Sequence, residues 1–155
     1  MAARRKDSAS DSPGAEESAR PRSSDDGIES LLRLASAAAR LAHSPYSKIE
    51  VGAALQARDG QVFTGCNVEN ASYGLTLCAE RVAMVKAISS GAREFAAIAI
   101  VTNQAKTLMP CGACRQFLHE FAPQLVVVCQ GATGPRQRAL LSDLLPRAFG
   151  PDDLE

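Results

Sequence analysis

Three cysteines in two short stretches limit the folds open to this chain more than any other feature. Cys78-Ala79-Glu80 is followed, 33 positions on, by Pro110-Cys111-Gly112-Ala113-Cys114. If the three thiolates grip one Zn²⁺, the fold must bring two distant segments to a single ion, and the fourth coordination position stays free. A structural zinc closes that position with another protein ligand, whereas a catalytic zinc keeps it open for water. Glu80 lies two residues from the first ligand, close enough for its carboxylate to reach such a water without filling the coordination site. The pattern points to metal-assisted hydrolysis. A structural zinc and a redox-active Cys-x-x-Cys are the other readings of the same cysteines.

Local signals place these residues at helix starts. Cys111 and Cys114, three apart, share a face at the start of a helix over about 111–121, and Pro110 fits just ahead, where no helical amide bond is lost. Residues 78–90 are rich in Ala, Arg, Met and Lys and end at Gly91, a good C-cap, so a helix begins at or near Cys78. Two helix N-termini, each with unpaired N–H groups and a partial positive charge, then converge on the metal. Three thiolates outweigh Zn²⁺ by one negative charge, which on its own makes a bound water less acidic. The helix dipoles offset this, and so does a cation: Arg81 and Arg115 each directly follow a site residue and are candidates to donate to a ligand sulfur. Cys66 and Cys129 lack metal spacing, sit in apolar strand-like stretches and read as small buried hydrophobes.

The remaining pattern predicts an α/β layered domain. Apolar residues at 28, 31, 32, 34, 35, 38, 39, 41 and 42 predict a first helix from Ile28 to about Ala42, capped by Asp25 or Asp26. Strands over 51–56 and 61–66 flank the tight turn Arg58-Asp59-Gly60. Further strands fall at 95–102 and 125–129. A Gly-rich turn around Gly131 and Gly134 leads to a short helix over 140–145, stopped by Pro146. Ahead of all this, residues 1–27 mix Ser, Ala, Pro, Gly and both charges without an aromatic, which predicts a disordered N-terminal tail and a single domain over 28–155. Acidic residues in that tail argue against a transit peptide.

Bulk properties exclude several function classes. Lys+Arg and Asp+Glu are equal at 17 each, so no field of one sign exists to draw a nucleic acid or an anionic membrane. No apolar run approaches the roughly 20 residues that span a bilayer. Five cysteines, an odd number, fit a reducing compartment better than a disulfide framework, and a soluble cytoplasmic protein is expected.

Beyond the metal motif, the chain resembles the free-nucleoside cytidine deaminases from about Leu31 to Glu155. The resemblance is carried by Pro45-Tyr46-Ser47, Val51-Gly52-Ala53-Ala54, Gly65-Cys66-Asn67-Val68-Glu69-Asn70-Ala71, Cys78-Ala79-Glu80-Arg81, Pro110-Cys111-Gly112-Ala113-Cys114-Arg115-Gln116, Leu144-Leu145-Pro146 and Phe149-Gly150-Pro151. It implies a three-layer α/β/α sandwich around a mixed central sheet of about five strands. It implies one Zn²⁺ per subunit on Cys78, Cys111 and Cys114, and a reaction in which zinc-bound hydroxide attacks C4 of cytidine or deoxycytidine and ammonia leaves. Glu80 protonates N3 and then the departing amine. Asn67 and Glu69 hold the sugar hydroxyl; turn chemistry is the other reading of that pair. Asn70, Ala71, Tyr73, Ala79, Ile49 and Phe149 complete the substrate-binding set, and Arg81 donates to the ligand sulfurs. The implied assembly is a homotetramer with shared active sites, the 70–73 loop and Phe149 crossing between subunits; plain packing is the alternative for Tyr73 and Phe149.

Two other functions compete: a deaminase of a different aminopyrimidine nucleoside, and a zinc-stabilised binding module without catalysis. The intact Glu80 argues against the second. Phosphorylated substrates require a cationic site, whereas Asn67 and Glu69 put a carboxylate near the sugar. One departure concerns the base. Ile49 stands where the family usually carries an aromatic that stacks on the pyrimidine, so apolar contact remains but no π face. Ile49→Phe is expected to lower KM for cytidine by the worth of an aromatic pair, about 0.5–1.5 kcal/mol. An unchanged or higher KM counts against that role.

Overall fold

The computed structural model describes residues 25–154; the expected tail up to residue 24 lies outside them. Helix α1 (Asp25–Ala39) begins three residues inside what composition assigns to the tail, with Asp25 and Asp26 in its first turn, where carboxylates favour the helix dipole. It ends earlier than the apolar period predicts. Residues 40–42 tighten into turns (Leu41 N–H to the Ala38 carbonyl, Ala42 N–H to that of Ala39), and His43 then donates to the carbonyl of Asn67 at 3.0 Å. That pairing draws the chain away from the helix axis, leaving Leu41 exposed.

The sheet runs β2-β1-β3-β4-β5, built from β1 (Val51–Ala57), β2 (Val62–Cys66), β3 (Phe95–Thr102), β4 (Val126–Gln130) and β5 (Gln137–Leu140). All neighbours are antiparallel except β3 and β4, so the sheet is mixed. The turn between β1 and β2 uses Gly60 at φ 92°, and the Asp59 carboxylate accepts from the Gln61 amide at 3.0 Å. Strand β5 was not legible as a strand. It is an edge with Gln137 and Arg138 exposed, so its apolar alternation is too weak to register.

Side chains alternate across the strands and divide the core between two faces. Ala54, Ala97, Ala99 and Val128 meet Ile28, Leu31, Leu32 and Ala35 of α1 on one side. Ala53, Leu55, Ile98, Ile100, Val127 and Cys129 face the other. There they pack under α2 (Ala79–Ser89), α3 (Gly112–His119) and the short α4 (Leu141–Leu144). These are the three layers of an α/β/α sandwich. Each fully buried Leu or Ile contributes about 1.5–3 kcal/mol. Among the described residues no helix is long and apolar enough to cross a membrane. Of the two remaining cysteines, Cys129 is a buried core residue as expected, but Cys66 is only partly covered and its thiol donates to the Leu41 carbonyl at 3.4 Å.

Helix α2 ends as its sequence predicts. Gly91 adopts φ 94°, its N–H reaches the Ile88 carbonyl and that of Ala92 reaches Ala87, which closes the last turn. At its other end α2 rests directly on β2: a Cβ on Gly65 would lie 2.6 Å from both the Ala79 carbonyl oxygen and the Ala83 amide nitrogen. Those backbone atoms belong to the turn that carries Glu80. Gly65→Ala is therefore expected to destabilise the protein by about 1–3 kcal/mol through overpacking. It should also lower the zinc retained on dialysis against a chelator, and parent-like melting and metal content would remove Gly65 from this role.

Candidate metal centre and catalytic site

Both metal-binding stretches open a helix. Cys78 is the N-cap of α2, at φ −76° and ψ 151°, and Cys111 is the N-cap of α3, at φ −65° and ψ 164°. Neither thiol is spent on capping its own helix, so both are free to turn inward. Cys114, in the first turn of α3, is buried. The three Sγ atoms all lie within 4.8 Å of one another, and Cys78 and Cys111 are 3.9 Å apart. Tetrahedral zinc with metal–sulfur bonds of about 2.3 Å sets its sulfurs about 3.8 Å apart. Soft thiolates at this spacing fit Zn²⁺, and among the described residues no fourth His, Cys, Asp or Glu joins the cluster. The donor set holds one Zn²⁺ and leaves a position for water.

Two arginines follow site residues, and they do different things. Arg81 donates through Nη2 to the Thr76 carbonyl at 2.9 Å and lies 3.7 Å from the Cys78 sulfur. Its Nε is buried without a partner among the described residues, an orphaned donor beside the thiolates that suits an anionic metal site. Arg115 does not reach a sulfur. Its Nε and Nη1 bond the carbonyls of Pro110 and Leu144, each at 2.8 Å, and so tie the metal loop to the end of α4. The sequence could not separate these roles, because the carbonyl of Leu144 is brought there only by the tertiary fold.

Electrostatics distinguish the site's acids. Cys78 is drawn down to about 5 because its sulfur accepts from the Cys114 thiol, with Arg81 and Cys111 adding to the effect. Glu80 moves the other way, to about 7, chiefly because it is buried, with the negative Cys78 beside it. A carboxyl poised near neutrality beside an open metal position can both take and return a proton.

On the substrate side the structure groups some candidates and disperses others. Val68 pairs with Leu77 and with His43 in isolated bridges, so the Asn67–Glu69 segment runs beside the residue that precedes Cys78. Asn67 is buried, and its carboxamide bonds backbone on both sides: Oδ1 accepts from Val51 N–H and Nδ2 donates to the Ile49 carbonyl, each at 2.8 Å. Glu69 accepts from the amides of Tyr46 at 2.9 Å and Ser47 at 3.2 Å, and from the Ser47 hydroxyl. The Ser47 hydroxyl bond above all holds the Glu69 carboxyl below its usual range. Ser47 in turn accepts from Ile49 N–H at 3.0 Å, which chains Glu69 to the residue expected under the base. Ser47 and Thr76 could not be picked out from the amino-acid order, since both act through pairings visible only in three dimensions.

Asn70 closes a turn onto Ser72 N–H at 2.8 Å, and Ala71 is exposed. Tyr73 is 74% exposed, its ring edge-to-face with that of Tyr46, centroids 5.7 Å apart. Phe149 is 58% exposed, and its carbonyl accepts from Gln116 of α3. Ala79 is fully buried, its carbonyl packed over Gly65.

Known proteins share this fold. A family model described as the cytidine and deoxycytidylate deaminase zinc-binding region matches residues 26–130. Cytidine deaminase of Halalkalibacterium halodurans is 47% identical over 125 residues, 80% of this chain and 95% of that one. The crystal structure of cytidine deaminase from Burkholderia pseudomallei superposes with a TM-score of 0.76 at 50% identity, covering 78% of this chain and 98% of that one. That from Mycobacterium tuberculosis gives 0.70 at 45% identity, covering 79% and 96%.

A carboxyl whose pKa rises from 4.5 unfolded to about 7 folded costs stability once pH exceeds the lower value, and the cost is complete above the higher one. Metal-free Glu80→Gln is accordingly expected to melt above the metal-free parent at pH 8 (~one unit past that range), the gap closing as pH falls. Identical melting curves across that range would mean Glu80 is not strained by its burial.

Proposed function

This chain belongs to the cytidine and deoxycytidylate deaminase family, and on that premise we propose that it hydrolyses free cytidine and deoxycytidine to uridine and deoxyuridine with release of ammonia. The observation that carries the reading is the buried Glu80 beside three clustered sulfurs with no fourth protein ligand among the described residues. Bound there, zinc supplies an acidified water as the nucleophile at C4. Glu80 does the proton work. It accepts a proton from the water, delivers it to N3 as the C4–O bond forms, then takes the remaining hydroxyl proton and gives it to the departing amine. One water is consumed, the C4–N bond breaks, and the carboxylate returns to its starting state. Arg81, bonded to the Thr76 carbonyl and close to Cys78, tempers the negative charge of the sulfurs.

Ile49 lies under the base and Asn67 and Glu69 hold the sugar hydroxyl. Each Asn67 amide group keeps hydrogen-bonding capacity beyond its backbone partner. Salvage of free pyrimidine nucleosides in the cytoplasm is the setting this suits. The active unit is a homotetramer in which Asn70, Ala71, Tyr73 and Phe149 complete a neighbour's site. The exposure of Tyr73, Leu75, Leu77, Val85 and Phe149 supports this, as apolar surface awaiting a partner.

The test is an ultraviolet assay over cytidine, deoxycytidine, cytosine, the monophosphates and an oligonucleotide. Turnover is expected for the two free nucleosides only. Glu80→Gln should keep about one zinc per chain and lose turnover by a factor on the order of 10² or more, the usual worth of general acid–base catalysis. Zinc-loaded parent protein that leaves every substrate unchanged would point instead to a binding module.

A further inference from the structure

Strand β1 is flanked by β2 and β3, and each neighbour is followed directly by an asparagine, the two lying one residue apart along β1. Register pairs Gly52 with Cys66 and Val51 with Thr102, which brings Asn67 and Asn103 to the next positions. Asn67 N–H bonds the Val51 carbonyl and Asn103 N–H bonds the Glu50 carbonyl, both at 3.1 Å. Beyond these bonds both flanking chains leave the sheet, one toward Glu69 and the other toward Pro110 and Cys111. The ladder nevertheless continues, because the two carboxamides replace the missing backbone. Asn67 takes Val51 N–H and the Ile49 carbonyl. Asn103 takes Glu50 N–H through Oδ1 and donates from Nδ2 to the Lys48 carbonyl, each at 3.1 Å. The side-chain amide of Gln104 donates to the same Oδ1 at 3.0 Å.

The segment 48–51 is thus held on alternating edges by two side chains. Regular sheet could not supply these bonds: Lys48 adopts φ 61° and turns the backbone out of the strand, and the Asn67 carbonyl is already taken by His43 N–H. Ile49 sits between the two clamps, its own N–H bonded to Ser47 Oγ. An aliphatic wall with no stacking face binds only through close contact, so its placement matters more than that of an aromatic.

We propose that Asn103 is a positioning residue for the base-binding wall. It continues β3 as a side chain and fixes the Lys48–Glu50 backbone, so that Ile49 meets the pyrimidine in one position. This rests on the reading that Ile49 lies under the base. Asn103 itself touches neither metal nor substrate, and it is exposed, so its replacement does not open the core.

Asn103→Leu removes both side-chain bonds; Asn103→Asp keeps the acceptor for Glu50 and replaces the donor to Lys48. Amide exchange read by mass spectrometry or NMR is expected to accelerate about tenfold at Glu50 in the Leu variant and stay near parent there in the Asp variant, as one lost hydrogen bond implies. In steady-state assays of the zinc-loaded enzyme, Asn103→Leu should raise KM for cytidine by about three- to tenfold with metal content unchanged; combined with Ile49→Ala, where the wall is already gone, it should add less than about twofold. An equal KM effect in both backgrounds, or a melting shift with KM unmoved, overturns the proposal. Parent-like exchange at Glu50 in the Leu variant overturns the clamp itself, with no reference to substrate. A parent enzyme inactive on cytidine sinks the assigned reaction and the wall role together, whatever the exchange at Glu50.

Discussion

Three sulfur atoms, all anionic once they grip a metal, are held within 4.8 Å of one another, and most of the architecture around them answers that concentration of charge. Two like charges about 4 Å apart repel by roughly 4 kcal/mol at the effective dielectric of a protein surface. Two helix N-termini and the Arg81 guanidinium counter this from the protein side, and a divalent ion completes the balance. Without the ion, the proton of the Cys114 thiol does part of the same work, which is why the Cys78 thiol is strongly acidified. The helices can deliver their ends to one point because the sheet lets them approach closely. Gly65 admits the first turn of α2, while the Arg115 bonds to Pro110 and Leu144 fix the loop from which α3 starts.

The chemistry was more legible in the amino-acid order than the pocket around it. Cys78, Glu80, Cys111 and Cys114 depend on spacing within helix starts, a local property, and the structure places them as that spacing requires. Strands β1 to β4 and the three main helices were likewise local signals, misjudged only at their ends. Where helix α1 stops was set instead by the pairing of His43 with Asn67, partners far apart in the chain. Arg115, a candidate donor to a ligand sulfur by its place in the sequence, goes instead to carbonyls for the same reason. Strand β5 escaped because its identity comes from its neighbour: Val127 and Val128 of β4 dictate the pairing of Ala139 and Arg138, two residues that carry no strand signal of their own.

Asn67 and Glu69 both spend their side chains on the backbone around them. Turn chemistry and substrate contact stood as alternatives for them in the sequence, yet the geometry lets one serve the other. Glu69 organises Tyr46 and Ser47, and Ser47 holds Ile49. Asn67 fixes the opposite side of the same backbone. A polar pair that shapes its own loop is already oriented before any ligand arrives, so little ordering entropy remains to be lost if it binds one.

The division of the ligands between α2 and α3 also governs how the metal comes and goes. Cys111 and Cys114 belong to one helical turn and can meet an ion as soon as that turn exists. Cys78 lies 33 residues earlier, with all of β3 between, so its bond closes a long chain loop. Closing a loop of that length in an unfolded chain costs on the order of 4 kcal/mol of entropy, a cost already met once the sheet has assembled. The first two sulfurs alone therefore make a labile complex, and the third turns it into a clasp. The lifetime of the bound ion becomes a clock for local opening, set by how often the first turn of α2 lifts away from Gly65.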